Sequence, residues 1–243
     1  MKKHIPNAIT CCNLIAGCIA IVFALRGQHH AALWAIVAGA VFDFFDGMTA
    51  RLLHVSSPIG KELDSLADDV TFGVAPSAIL FSFLSQHLSA VCPLSEDIQP
   101  GTACCATGLT AVLPYLAFLM AAFSALRLAK FNLDDRQAMG FIGLPTPANA
   151  LFWSSLIVGG GEWLATSPYY IYALLAMSLV SCYLLVAEIP MFALKFKTWG
   201  WQGNQVKYIF LITCVPLLLF LGILGIAAII AWYVVLSVFT QRA

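Results

Sequence analysis

Charge is scarce in this sequence: Asp, Glu, Lys and Arg together make up 10% of 243 residues, and twelve bases cancel twelve acids. A chain without net charge has no electrostatic footprint for nucleic acid and no field to steer acidic substrates. The eight cysteines form neither a CxxC pair nor a Cys/His metal spacing, which excludes zinc-ribbon and thioredoxin-like chemistry. Cys11, Cys12, Cys18, Cys182 and Cys214 lie in apolar stretches, where interior packing is the expected role, while Cys92, Cys104 and Cys105 share a polar loop. Gly/Ser linkers, charged tails, low-complexity tracts and repeats are also missing, so residues 1–243 read as one domain.

What is abundant is apolar surface. Hydrophobic residues are 61% of the chain and its mean hydropathy is +0.90, more than one soluble core of this length buries. A bilayer span takes about 20 mostly apolar residues. Segments of that kind lie near 8–26, 31–52, 70–88, 106–128, 146–160, 168–188, 207–222 and 224–240. The expected fold is therefore an all-α integral membrane protein of about eight transmembrane helices, the last two divided only by Gly222 and Gly225. The first stretch, 9–25, is long for a signal peptide and lacks a small-x-small cleavage site, so it is read as a retained helix.

The distribution of bases sets the expected sidedness. With the N-terminus inside and eight spans, eleven of the twelve bases fall on inner segments and only Arg26 on the outside. The expected location is the cytoplasmic (inner) membrane, with residues 53–60 and 129–145 facing the cytoplasm.

Six of the twelve acids, Asp43, Asp46, Glu62, Asp64, Asp68 and Asp69, crowd the junction of the second and third segments. Ionisable groups at membrane depth are costly and usually functional. At about 100° per residue, Asp43, Asp46, Gly47 and Ala50 share one helix face with Arg51 at its edge, and Gly60, Asp64 and Asp68 share a face of the next helix. Asp69 is rotated away from that face. Four converging carboxylates repel unless a cation lies between them, and all-oxygen ligation suits Mg²⁺, Mn²⁺ or Ca²⁺ rather than zinc. The small residues Gly47, Ala50 and Gly60 either let a nucleotide pyrophosphate approach the backbone or serve tight helix packing.

These residues, Asp43-Phe-Phe-Asp46-Gly47-Met-Thr-Ala50-Arg51, eight positions, then Gly60-Lys-Glu-Leu-Asp64-Ser-Leu-Ala-Asp68, resemble the complete signature of the CDP-alcohol phosphatidyltransferase family. The resemblance implies a six-helix catalytic core, here followed by two further helices. It implies that Asp43, Asp46, Asp64 and Asp68 hold two metal ions, Mg²⁺ or Mn²⁺, that Gly47, Ala50, Arg51 and Gly60 meet the CDP moiety, and that Asp68 is the general base. An alcohol attacking a phosphodiester builds negative charge on phosphate oxygens, which metal and Arg stabilise, and no covalent enzyme intermediate is needed.

Three further stretches widen the resemblance to residues 5–150: Pro6-Asn7-x-x-Thr10-x-x-Asn13, Asp64-Ser-Leu-Ala-Asp68-Asp-Val-Thr-Phe-Gly73-Val-Ala-Pro76, and Phe131-Asn132 followed by Gly143-Leu144-Pro145-Thr146-Pro147-Ala148. Together they are similar to the membrane-type phosphatidylserine synthases of that family, although Asp69 and Thr71 depart from the usual residues there. The implied partners are CDP-diacylglycerol, L-serine, CMP and membrane lipids, in a homodimer. A cytoplasmic Arg or Lys could hold the serine carboxylate, and Asn132 and Arg136 are the residues expected on that side. Thr10 and Asn13 have helix capping as their simpler reading, and Arg127 and Lys130 that of inner-face anchors. The rival readings are a relative using glycerol 3-phosphate or inositol phosphate, and a cation transporter with membrane carboxylates along its path.

Overall fold

The computed structural model describes residues 4–55, 57–91, 109–133, 141–167, 169–191, 200 and 204–240. Helix α1 (His4–Leu25) turns at Gly27, whose φ is +74°, into α2 (His29–Leu52), and the short turn packs the two antiparallel along their length. Ser57 caps the next helix, its hydroxyl accepting the Gly60 N–H at 3.0 Å, and Pro58 fills the first position where no N–H is needed. This α3 (Pro58–Asp68) runs through a π-helical segment (Asp69–Val74) into α4 (Ala75–Val91). A 3₁₀ stretch (Leu109–Phe118) leads into α5 (Leu119–Leu133), followed by α6 (Thr146–Leu164), α7 (Tyr170–Val186), α8 (Gln205–Leu221) and α9 (Leu224–Thr240). Two short strands, β1 (Phe141–Ile142) and β2 (Pro190–Met191), pair antiparallel and tie the start of α6 to the end of α7.

The expected apolar segments are all helical, with one change of plan. The third does not start near residue 70; the polar α3 joins it, so one continuous helix carries both the second half of the signature and a membrane segment. Gly222, with φ +55°, does break α8 from α9. By length and composition, His4–Leu25, His29–Leu52, Pro58–Leu88 and Val112–Leu133 can each cross a membrane, and α7, α8 and α9 are shorter apolar helices. Outward-facing Trp34, Phe44, Leu219 and Phe220, each more than 60% exposed, would be a liability in water and suit lipid. The chain is membrane-embedded. Cys11, Cys12 and Cys18 also face outward on α1, against the packing expected of them, whereas Cys182 is buried; Cys92, Cys104 and Cys105 lie outside the described residues.

Pro58–Leu88 is the central helix: 67% of its most apolar window is buried, against 28–33% for the other three spans. Phe72, Ala75, Ile79, Leu80 and Leu84 on it are fully enclosed. At the end of the π segment the buried Ser77 hydroxyl donates to Gly73 O at 2.7 Å. Thr71 in this segment is the point where three elements meet. A Cβ on Gly17 of α1 would stand 2.9 Å from the Thr71 Cα, and one on Gly39 of α2 would stand 2.5 Å from the Thr71 Cγ2. The Thr71 hydroxyl donates to the Asn13 carbonyl at 3.0 Å. Gly17→Ala should therefore push α1 off the central helix, costing about 1–3 kcal/mol of stability. A thermal unfolding midpoint in detergent unchanged from the parent would show that the contact can relax.

Candidate active site

The acidic faces meet as helical periodicity requires. Carboxylate oxygens of Asp43 on α2 and of Asp64 and Asp68 on α3 lie within 4.8 Å of one another. Asp46 is one turn from Asp43 and buried, and its Oδ2 accepts the Thr10 hydroxyl at 2.6 Å. Asn13 is fully buried and donates from Nδ2 to Asp68 Oδ1 at 3.0 Å. Thr10 and Asn13 are thus interior residues of α1 that hold two of the four carboxylates, and capping, the simpler reading, does not describe them. Their three-residue spacing on an otherwise apolar helix was the available signal.

The donor set fits a divalent cation. Three carboxylates converge, Asp64 Oδ1 is buried without a hydrogen-bond partner, and among the described residues no base forms an ion pair with the four acids. Uncompensated, such a cluster is unfavourable; oxygen ligands at this spacing are what Mg²⁺ or Mn²⁺ takes.

Beside the cluster a cavity of about 240 Å³ opens between the start of α1, the end of α2 and the start of α3, lined by Asp46, Gly47, Ala50, Gly60, Lys61 and Asp64 among others. Nothing stands within 4 Å of where a Gly47 Cβ would be, so that glycine faces the open cavity and not a packed helix. Gly60 serves close packing, since a Cβ there would lie 2.9 Å from Ser57 Oγ and 3.0 Å from Asn7 Oδ1. Arg51 is exposed, its Nε donating back to Gly47 O at 3.0 Å. Asp69, rotated from the cluster as expected, crowds Gly73 together with Ser124 of α5: a Cβ on Gly73 would meet both.

Asn132, expected on the acceptor side, lies in the last turn of α5. Asn132 donates to Ser65 Oγ at 2.8 Å and its carbonyl accepts from Lys61 Nζ at 3.0 Å, so it ties the end of α5 to α3. Arg136 lies outside the described residues. Arg127, expected as a surface anchor, is buried.

A family model described as CDP-alcohol phosphatidyltransferase matches residues 3–159, well over half the chain. The chain belongs to the CDP-alcohol phosphatidyltransferase family. The converging carboxylates, Thr10, Asn13 and Arg127 all fall inside the matched region, and the transporter reading is set aside with them. Among curated proteins, the chain is similar to a CDP-diacylglycerol–serine O-phosphatidyltransferase of Bacillus subtilis, 39% identical over 145 residues, covering 60% of this chain and 70% of that one. A protein of the same name from Mycobacterium leprae is 34% identical over 199 residues, 77% of this chain and 57% of its own length. The yeast protein of that name, from Saccharomyces cerevisiae, is 44% identical over 107 residues, 41% of this chain and 39% of its own length. The match thus spans less than two thirds of the Mycobacterium and yeast relatives.

Proposed function

We propose that this family member transfers the phosphatidyl group of CDP-diacylglycerol to L-serine, forming phosphatidylserine and releasing CMP. The observation that carries the reading is the convergence of Asp43, Asp64 and Asp68 in a chain whose similar relatives bear the serine transferase name. Those names favour serine over glycerol 3-phosphate or inositol phosphate. The catalytic unit is taken as one domain of the whole chain.

Asp43, Asp46, Asp64 and Asp68 would hold the metal, as two ions, Mg²⁺ or Mn²⁺. Bound there, divalent metal supplies charge neutralisation at the pyrophosphate and the departing CMP. The chain's own groups do the rest. Asn13 holds Asp68 by Oδ1, leaving Oδ2 to take the proton of the acceptor hydroxyl as the oxygen attacks phosphorus. Thr10 orients Asp46, and the open face at Gly47, with Ala50 and Gly60 and with Arg51, which is bonded back to Gly47 O, receives the CDP moiety. Arg51, Lys61 and Lys130 lie at the helix ends nearest the carboxylates, which supports a cytoplasmic active site. A homodimer is proposed as the assembly.

The test is CMP release by purified protein. It should require CDP-diacylglycerol, L-serine and a divalent metal together, and sealed inside-out vesicles should convert external L-serine. Release with glycerol 3-phosphate in place of serine would discard the acceptor, activity confined to right-side-out vesicles would reverse the orientation, and a monomer mass in nanodiscs would remove the dimer.

A further inference from the structure

Helices α8 and α9 lie beyond the region that the family model matches, residues 3–159. A Cβ on Gly159 of α6 would stand 2.5 Å from the Leu224 nitrogen and 2.9 Å from its Cα, so the turn between α8 and α9 rests directly on α6. Asn132 holds the end of α5 to α3, and Arg127 of α5 reaches Thr146 at the start of α6, which places that start at the carboxylate end of the bundle. From Thr146 to Gly159 the helix rises about 20 Å. The turn between α8 and α9 is therefore at the opposite end.

The two helices touch at two levels. A Cβ on Gly225 would stand 2.5 Å from the Leu217 carbonyl oxygen, and Trp232 donates from Nε1 to Thr213 Oγ1 at 3.1 Å. Between these contacts the α9 wall is built from Ala228 and Ala231, and a cleft of about 680 Å³ opens there, with Pro216, Phe220 and Val235 also lining it. Pro216, Phe220, Ala231 and Val235 are exposed along its open side. Thr213 and Trp232 are its only polar side chains, and each satisfies the other. Such a cleft offers water no partner.

We propose that the cleft binds one acyl chain of a phospholipid from the leaflet opposite the carboxylates. The protein is membrane-embedded, and Phe220, 87% exposed, makes the cleft continuous with its lipid-facing surface. From Leu221 to Thr213 the α8 wall descends about 12 Å, close to half of a hydrocarbon core of about 30 Å and so within one leaflet. A CDP-lipid whose pyrophosphate meets the carboxylates has its acyl chains in the other leaflet. A helix of a second copy, about 10–12 Å across, would lie over the rim of a cleft between two touching helices, whereas a methylene chain enters it. Lipid tails are as apolar as the protein, so burial alone does not favour the site. What favours it is dispersion contact with walls that a poorly fitting neighbour would leave unlined.

Bromine on an acyl chain quenches tryptophan on contact, and Trp232 lines the cleft, so its fluorescence reads the site. The full chain in detergent is titrated with phosphatidylglycerol carrying dibrominated chains, and the share of Trp232 is the signal of the parent less that of Trp232→Phe. That share should be quenched at a lipid-to-detergent ratio about tenfold lower than the remaining tryptophans need, the weight of roughly a dozen added carbon contacts. The remainder includes the outward-facing Trp34 and Trp163. Ala231→Phe and Ala228→Leu, which fill the cleft, should each return Trp232 to the behaviour of the others. Quenching of Trp232 no tighter than the rest in the parent would overturn the proposal, whether or not either variant folds. So would tight quenching that survives both substitutions. Tight quenching by CDP-diacylglycerol with brominated chains alone would give the cleft to the substrate, and a fall in particle mass in Ala231→Phe would give it to a second copy; either result also overturns the proposal.

Discussion

Asp68→Asn should lower turnover by about 10²–10⁴-fold, the usual contribution of a positioned general base, while CDP-lipid affinity stays close to that of the parent. The surroundings make this a clean substitution. Asn13 donates to Asp68 Oδ1 at 3.0 Å, and a side-chain amide can accept the same hydrogen bond through its own oxygen, so the side chain keeps its place. What disappears is the capacity to take the hydroxyl proton. Added Mg²⁺ or Mn²⁺ should not restore the rate. Recovery of most of the turnover at high metal would reduce Asp68 to a metal ligand and leave proton removal to another group or to water.

Asp43→Asn, Asp46→Asn and Asp64→Asn should each abolish transfer, a loss of about 10³-fold or more, because each would remove an anionic ligand from the proposed metal site. Folding should survive. Carboxylates whose oxygens lie within 4.8 Å of one another repel when ionised by about 3 kcal/mol or more at an effective dielectric of 20, so neutralising Asp43 or Asp64 should relieve repulsion in the metal-free protein. The unfolding temperature in chelator should then equal or exceed the parent's, and the rise that Mg²⁺ gives the parent should shrink. Substantial activity in any of the three variants, or a full Mg²⁺ response in Asp43→Asn or Asp64→Asn, would contradict the metal assignment.

Helical periodicity is why the carboxylate cluster was legible before any coordinates. Residues at i, i+3 and i+4 lie on one face whatever the helix packs against, so Asp43 with Asp46, and Asp64 with Asp68, were bound to point together. The junction between them is short, and it leaves the two faces little choice but to meet. Lipid exposure was legible for the same local reason, since an apolar run long enough to span needs no partner to be recognised.

Other features depend on which helix lies alongside which. Asn13 and Asp68 are 55 residues apart, and Thr10 and Asp46 are 36 apart; spacing along α1 shows that Thr10 and Asn13 share a face, not that this face lies against the acids. Asn132 was expected on the acceptor side because its stretch is rich in specific polar side chains; that its amide meets Ser65 depends on α5 lying beside α3. Arg127 had inner-face anchoring as its simpler reading because bases at helix ends usually are anchors, and only the tertiary structure buries it and brings Thr146 to it.

The sequence by itself determined the membrane class, the helical segments and the acidic hairpin, because hydrophobic length and the period of a helix are written in consecutive residues. The tertiary structure decided the π segment in the central helix, the grip of α1 on Asp46 and Asp68, and the burial of Arg127. Those outcomes are set by close approach at Gly17 and Gly39 and by contacts between residues far apart in the chain, where no local pattern specifies the neighbour.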